Sequence, residues 1–115
     1  MIVDDERDAC EALGALLAER GARVTMASSV RDARATLDKW LPDVLLTDIK
    51  MPGEDGYSLA RELRKTVRLR AVRAVAITAY DQEGDRIAAA GFLACLRKPV
   101  EPDGLVTLPG RQATS

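Results

Sequence analysis

The sequence predicts a doubly wound α/β domain, an open parallel sheet covered by helices on both faces, and three observations predict it. Segments of strand and helix periodicity alternate along the 115 residues, the order that right-handed βαβ crossovers require. Val44, Leu45 and Leu46 form a near-continuous apolar run, the pattern of a parallel strand buried on both faces. Several strand-like segments end on a polar residue able to do chemistry, and in open α/β sheets the ligand site lies outside the carboxyl ends of the strands.

The elements follow in order. Met1 to Val3 is apolar and stops at Asp4, Asp5 and Glu6, as a short buried strand does when it delivers acids to its carboxyl edge. Ala9, Ala12, Leu13, Leu16 and Leu17 share one helical face, and Gly21 suits the left-handed position after a helix. Arg23 to Ala27 reads as a second short strand. Ser29 with Asp32 resembles a capping box; it opens a helix whose buried stripe is Val30, Ala33, Leu37 and Trp40, ended by Pro42. The third strand starts at Val44 and ends on Asp48. Beyond the loop from Met51 to Gly56, Leu59, Ala60 and Leu63 mark a third helix with a basic end. Ala74 to Thr78 is a fourth strand, residues 82–90 a short helix closed by Gly91, and Phe92 to Leu96 a fifth strand leading into Lys98 and Pro99.

Composition narrows the function. A chain of this length fits one domain, and 47% hydrophobic with 30% charged residues is the balance of a water-soluble globular protein. No apolar run approaches the roughly 20 residues of a membrane helix, and the start MIVDDERD has no signal-peptide pattern, so a cytoplasmic location and no membrane partner are expected. Seventeen basic against eighteen acidic residues give a net charge of -1, which supplies no global field for nucleic acid. The local cluster Arg64, Lys65, Arg68, Arg70 and Arg73 has no interleaved aromatics and reads as a solvated helix end and loop. Cys10 and Cys95 have no partner at metal-ligand spacing and read as small apolar fillers. Histidine is absent, which excludes histidine-based triads, the commonest zinc sites and a phosphohistidine on this chain. Phosphoryl chemistry here would need a carboxylate acceptor.

On this layout four strand ends converge on one edge, bringing Asp4 and Asp5, Asp48, Thr78 and Lys98 together. Each has an ordinary reading when taken singly: a solvated carboxylate, a strand threonine, a turn lysine. Together they make a site. Three carboxylates so close repel one another unless a cation is present to share them. Hard oxygen ligands in a small site suit Mg²⁺, which favours one or two carboxylates plus a phosphate, and phosphoryl transfer needs little beyond positioning and neutralisation of charge.

The stretches VDDE, TDIKMPGEDGY, AITAY and LRKP, in this order over nearly the whole chain, resemble the receiver domains of two-component response regulators, most closely those attached to hybrid sensor kinases. The resemblance implies a flavodoxin-like fold with five parallel strands in the order 2-1-3-4-5. It implies that Asp48 is the phosphoryl acceptor, that Asp5 binds Mg²⁺ directly with Asp4 assisting through water, and that Lys50 lends its backbone carbonyl. Thr78 would bond a phosphoryl oxygen after transfer, and Lys98 would pair with it. The implied partner is a sensor histidine kinase or a phosphotransfer protein, and the implied role is that of a phosphoacceptor with self-catalysed transfer and dephosphorylation at most, rather than an enzyme.

The chain departs from that family pattern in three places. Cys95 stands where receivers commonly carry an aromatic. The fourth helix is about two residues short. The fifth is cut by Pro109 and Gly110, so that the domain covers residues 1–108 and residues 109–115 form a flexible tail. A short last helix should bare an apolar patch beside Leu13, Leu16 and Leu17, bordered by Val106 and Leu108, which leads to a homodimer or to cover by neighbouring sequence. Two other functions compete. One is a receiver-like interaction module that no longer signals by phosphorylation. The other is an aspartate-nucleophile phosphatase of the haloacid-dehalogenase class, whose D-x-D pattern Ile49 and Lys50 break.

Overall fold

The computed structural model describes residues 1–49, 55–78, 84–97 and 105–107. In chain order the elements are β1 (Ile2–Val3), α1 (Arg7–Glu19), β2 (Met26–Ala27), α2 (Val30–Leu37), β3 (Val44–Asp48), α3 (Gly56–Lys65), a 3₁₀ turn (Val67–Leu69), β4 (Arg73–Thr78), α4 (Gly84–Ala90), β5 (Ala94–Arg97) and β6 (Leu105–Thr107). The sheet runs β2-β1-β3-β4-β5-β6. Its first five strands are all parallel, which is the expected order. Among the described residues no helix is long and apolar enough to cross a membrane.

Local chemistry accounts for most element ends. Ser29 caps α2 by accepting from the Asp32 amide at 3.0 Å, while the Asp32 carboxylate accepts from the Ser28 amide at 3.1 Å; this is the reciprocal logic of a capping box displaced by one residue. Asp55 caps α3 by accepting from the Ser58 amide at 3.0 Å. Arg20 follows α1, and Gly21 takes φ 90°, a conformation that costs glycine no Cβ clash.

Several boundaries differ from expectation: β5 runs from Ala94 to Arg97 and not from Phe92 to Leu96, and three other differences are larger. The helix α2 stops at Leu37, not at Trp40. The amides of Lys39 and Trp40 both donate to the Thr36 carbonyl, at 3.0 and 2.9 Å, in a tightened last turn that leaves Trp40 half-buried against the core. β2 keeps only Met26 and Ala27 of the predicted strand, although the Thr25 carbonyl still accepts from the Ile2 amide at 2.8 Å. The third difference is the largest. Residues 105–107 were expected in a shortened fifth helix and instead form β6, antiparallel to β5 with Cys95 opposite Val106. Val106 and Thr107 are β-branched, and Pro102 and Gly104 just ahead are poor helix formers. α4 is described over Gly84–Ala90, while residues 79–83 ahead of it and the proposed tail at 109–115 lie outside the described residues.

Strand alternation sends side chains to two unequal cores. Val3, Leu45, Ala74 and Ala76 face one side, where they meet Val30, Ala33 and Leu37 of α2, Leu59, Ala60 and Leu63 of α3, and Ile87 and Ala90 of α4. Ile2, Leu46, Val75, Ile77 and Ala94 face the other, where α1 contributes Cys10 and Leu13. On α1 itself Leu13 is buried and Leu16 and Leu17 are half-buried. The exposed large apolar side chains among the described residues are Met26, Leu41, Val44 and Val67. None belongs to α1; the burial of Val106 and Leu108, expected to border an apolar patch beside that helix, lies outside what is described.

Candidate functional site

Register carries the predicted site residues to one edge. β1 and β3 lie side by side with Val3 opposite Thr47, so Asp4 emerges from β1 where Asp48 ends β3. Asp48 pairs with Ile77, and Thr78 follows one residue further on β4. Asp4, Asp48 and Thr78 are buried, with 3%, 8% and 5% of their surface exposed, whereas Asp5 is exposed. One carboxylate oxygen each from Asp4, Asp5 and Asp48 can be found within 4.8 Å of the others. The three acids predicted from sequence are therefore brought together. Lys50 and Lys98 lie outside the described residues.

Buried carboxylates need compensation, because taking a charge out of water is costly unless donors or a cation replace the water. Asp4 gains part of it locally: its Oδ1 accepts from the Glu6 amide at 2.9 Å, just before α1 begins. Glu6 is the N-cap of that helix and makes no side-chain cap bond, so the Asp4 carboxylate also occupies an amide at the helix start. The remaining oxygens are hard donors of the type that Mg²⁺ accepts, two of them in a partly desolvated setting. This donor set fits the ion.

The backbone around Asp48 is fixed from several directions. Thr47 Oγ1 donates to the Asp48 carbonyl at 3.1 Å, the Ile49 amide to the Ile77 carbonyl at 3.2 Å, and the Gly56 amide to the Ile49 carbonyl at 3.0 Å. A Cβ at position 56 would collide with the Asp48 carbonyl oxygen, so only glycine lets the start of α3 close onto the end of β3. Sequence reasoning passed over this role. The signal was available, as a glycine directly ahead of a helical pattern and eight residues after the candidate acceptor.

Beneath the acids, Cys10 lies buried with its Sγ 4.0 Å from the Ile2 carbonyl. Burial pushes its thiol pKa up, and the nearby Asp4 and Glu11 carboxylates push it further. Cys95 is half-buried and packs on the opposite side of the sheet, against the larger core.

The chain matches the response regulator receiver domain family model over residues 1–108. It is 38% identical over 110 residues to an uncharacterized 14.6 kDa protein in the sodA1 3′ region of Leptolyngbya boryana, covering 94% of this chain and 84% of that one. It is 36% identical over 108 residues to response regulator Rre1 of Synechocystis, covering 91% of this chain but 47% of Rre1. Among solved structures, a response regulator receiver protein from Pseudomonas putida superposes with a TM-score of 0.78 at 29% identity, covering 87% of this chain and 84% of that one. With a family match over nearly its whole length and the acids of its strand ends gathered on one edge, the chain belongs to the response regulator receiver domain family.

Proposed function

We propose that this receiver domain takes a phosphoryl group onto Asp48 from a sensor histidine kinase or a phosphotransfer protein in the cytoplasm, in an Mg²⁺-dependent reaction. The observation that carries the proposal is the grouping of Asp4, Asp5 and Asp48 within 4.8 Å at the carboxyl edge of a parallel sheet. In the transfer an Asp48 carboxylate oxygen forms a new bond to phosphorus. The donor's N–P bond breaks, its electron pair stays on the imidazole nitrogen, and that nitrogen is protonated from solvent. Asp5 and Asp48 would hold the ion directly, Asp4 through water, and Lys50 by its carbonyl. The ion supplies neutralisation of the phosphoryl oxygens. The Thr78 hydroxyl donates to one of those oxygens after transfer and Lys98 pairs with another. The domain acts on no separate substrate, and loss of the phosphoryl group is hydrolysis at its own Asp48. In the setting its motifs resemble most, the domain is part of a hybrid sensor kinase.

The test is incubation with a small phosphoramidate and weighing of the intact protein. Wild type is expected to gain the mass of one phosphoryl group with Mg²⁺ and none after chelation, and Asp48→Asn none in either case. Label retained by Asp48→Asn, or incorporation indifferent to chelation, would overturn the reading. A second reading, an interaction module that no longer signals, draws on β6 standing where the last helix was expected and on Cys95 in place of an aromatic. It requires that wild type gain no phosphate at all.

A further inference from the structure

The face formed by α3, the turn after it and α4 carries cations that the acidic site does not use. Arg61, Arg64, Lys65 and Arg86 line a cavity of about 510 Å³. Arg64 also lines a second cavity of about 440 Å³, together with Arg70 and Arg73. Among the described residues, neither cavity has an acid in its lining. Among the described residues, Glu62 pairs with Arg34 at 2.8 Å and Asp38 with Arg68 at 3.5 Å. Arg61 and Lys65 are exposed, and among the described residues neither forms an ion pair.

Favourable placement at a helix C-terminus accounts for Arg64 and Lys65 in the last turn of α3. It does not account for Arg61 in mid-helix or for Arg70 beyond the turn. Nor is the excess a reflection of the whole chain, whose net charge is -1. Like charges gathered on one face repel, and that cost is offset when an anion is bound. Two of the cations are already held in place. Arg64 donates to the Ala89 carbonyl at 3.2 Å, tying α3 to α4, and the Arg86 guanidinium lies 4.3 Å from the centre of the Tyr57 ring.

The spacing selects the kind of anion. Positions 61, 64 and 65 recur at one helical turn and Arg64 lines both cavities, so the charges are spread over two cavities and do not line one alone. That pattern suits spaced carboxylates better than a single phosphate. Tyr57 is only 2% exposed, so its ring offers no face on which the bases of a single strand could stack. We infer that the α3–α4 face is a docking surface for an acidic, Asp- and Glu-rich segment of a partner protein.

The test measures binding of a fluorescent polyglutamate peptide to the full chain by anisotropy at low ionic strength. Inorganic phosphate and a single-stranded oligonucleotide serve as competitors. Arg61→Glu with Lys65→Glu is expected to weaken polyglutamate binding about tenfold or more, whereas Arg20→Glu with Arg23→Glu, an equal charge change at exposed sites elsewhere, should alter it less than about twofold. Arg61→Gln with Lys65→Gln should give an intermediate loss and keeps the test valid if the charge reversal unfolds the protein. Equal losses from the two reversed pairs, no binding of polyglutamate, or tighter binding of phosphate or the oligonucleotide would each overturn the inference.

Discussion

On one side of the sheet three helices lay apolar stripes against Val3, Leu45, Ala74 and Ala76, while on the other, among the described residues, α1 is the helix that contributes to the buried cluster, through Cys10 and Leu13. The first side closes over large side chains such as Leu59, Leu37 and Phe92, each at most 1% exposed. The second leaves Leu16 and Leu17 half-buried, and the loop leading into its helix holds two of the three site acids. Among the described residues, apolar burial, which dominates folding free energy, is concentrated away from α1, and the α1 side carries the carboxylates that need solvent or a cation.

Truncating one leucine on each side tests this division. Leu59→Ala removes a side chain with no exposed surface and is expected to cost about 4 kcal/mol, toward the upper end of the range for buried leucines. Leu13→Ala, at 6% exposure in the smaller cluster, should cost about 2 kcal/mol, because a thinner core leaves more room for neighbours or water to fill the gap. Urea titration of both variants measures the gap, and equal losses would mean that the two sides support the fold alike.

The cysteines sharpen the same contrast with a smaller effect. Cys10, on the α1 side, is buried and its thiol pKa is raised above the ordinary 9.0, by burial first and then by Asp4 and Glu11. The raised value means that the fold prefers the neutral thiol. Its contribution to stability is present below about pH 9 and is lost as pH rises through the folded value. Iodoacetamide near pH 8 is therefore expected to modify half-buried Cys95 well before Cys10, with peptide mapping as the readout. Faster labelling of Cys10 would show that the α1 side opens more readily than its burial implies.

Much of this was legible in the sequence because parallel strands covered on both faces leave blunt signals. Leu45 and Leu46 in an unbroken run, Ser29 with Asp32, and acids set directly after apolar strands each follow from local chemistry. The three acids of the site were legible for the same reason, since strand order in this fold brings carboxyl ends to one edge. What was not legible depended on contacts distant in sequence. Gly56 is required by the Asp48 carbonyl across a loop, and no local pattern states that demand. β6 pairs with the edge of β5, whereas the family resemblance was the guide to residues 105–107 and pointed to a helix. The basic face was read as a helix end because Arg61 and Arg86 are 25 positions apart in the chain, and only the packing of α3 on α4 sets them around one cavity.

β1 is two residues long, yet it stands between β2 and β3. Its attachment consists of few hydrogen bonds, among them Ile2 to the Thr25 carbonyl at 2.8 Å, Asp4 to the Ala27 carbonyl at 3.1 Å, and Leu46 to the Met1 carbonyl at 2.8 Å. So short a segment can detach while the rest of the sheet persists, because local opening requires much less free energy than global unfolding. Each such excursion carries Asp4 and Asp5 away from Asp48 and dissolves the acidic cluster for its duration. Whatever draws the three carboxylates together must then also hold the strand in its slot, and by linkage a firmer strand must raise the affinity of the cluster for its cation. The Ile2 and Asp4 amides should report this as a slowing of hydrogen–deuterium exchange on addition of Mg²⁺. Amides deep in β4 should exchange at unchanged rates, making this two-residue strand the one whose lifetime records the state of the site.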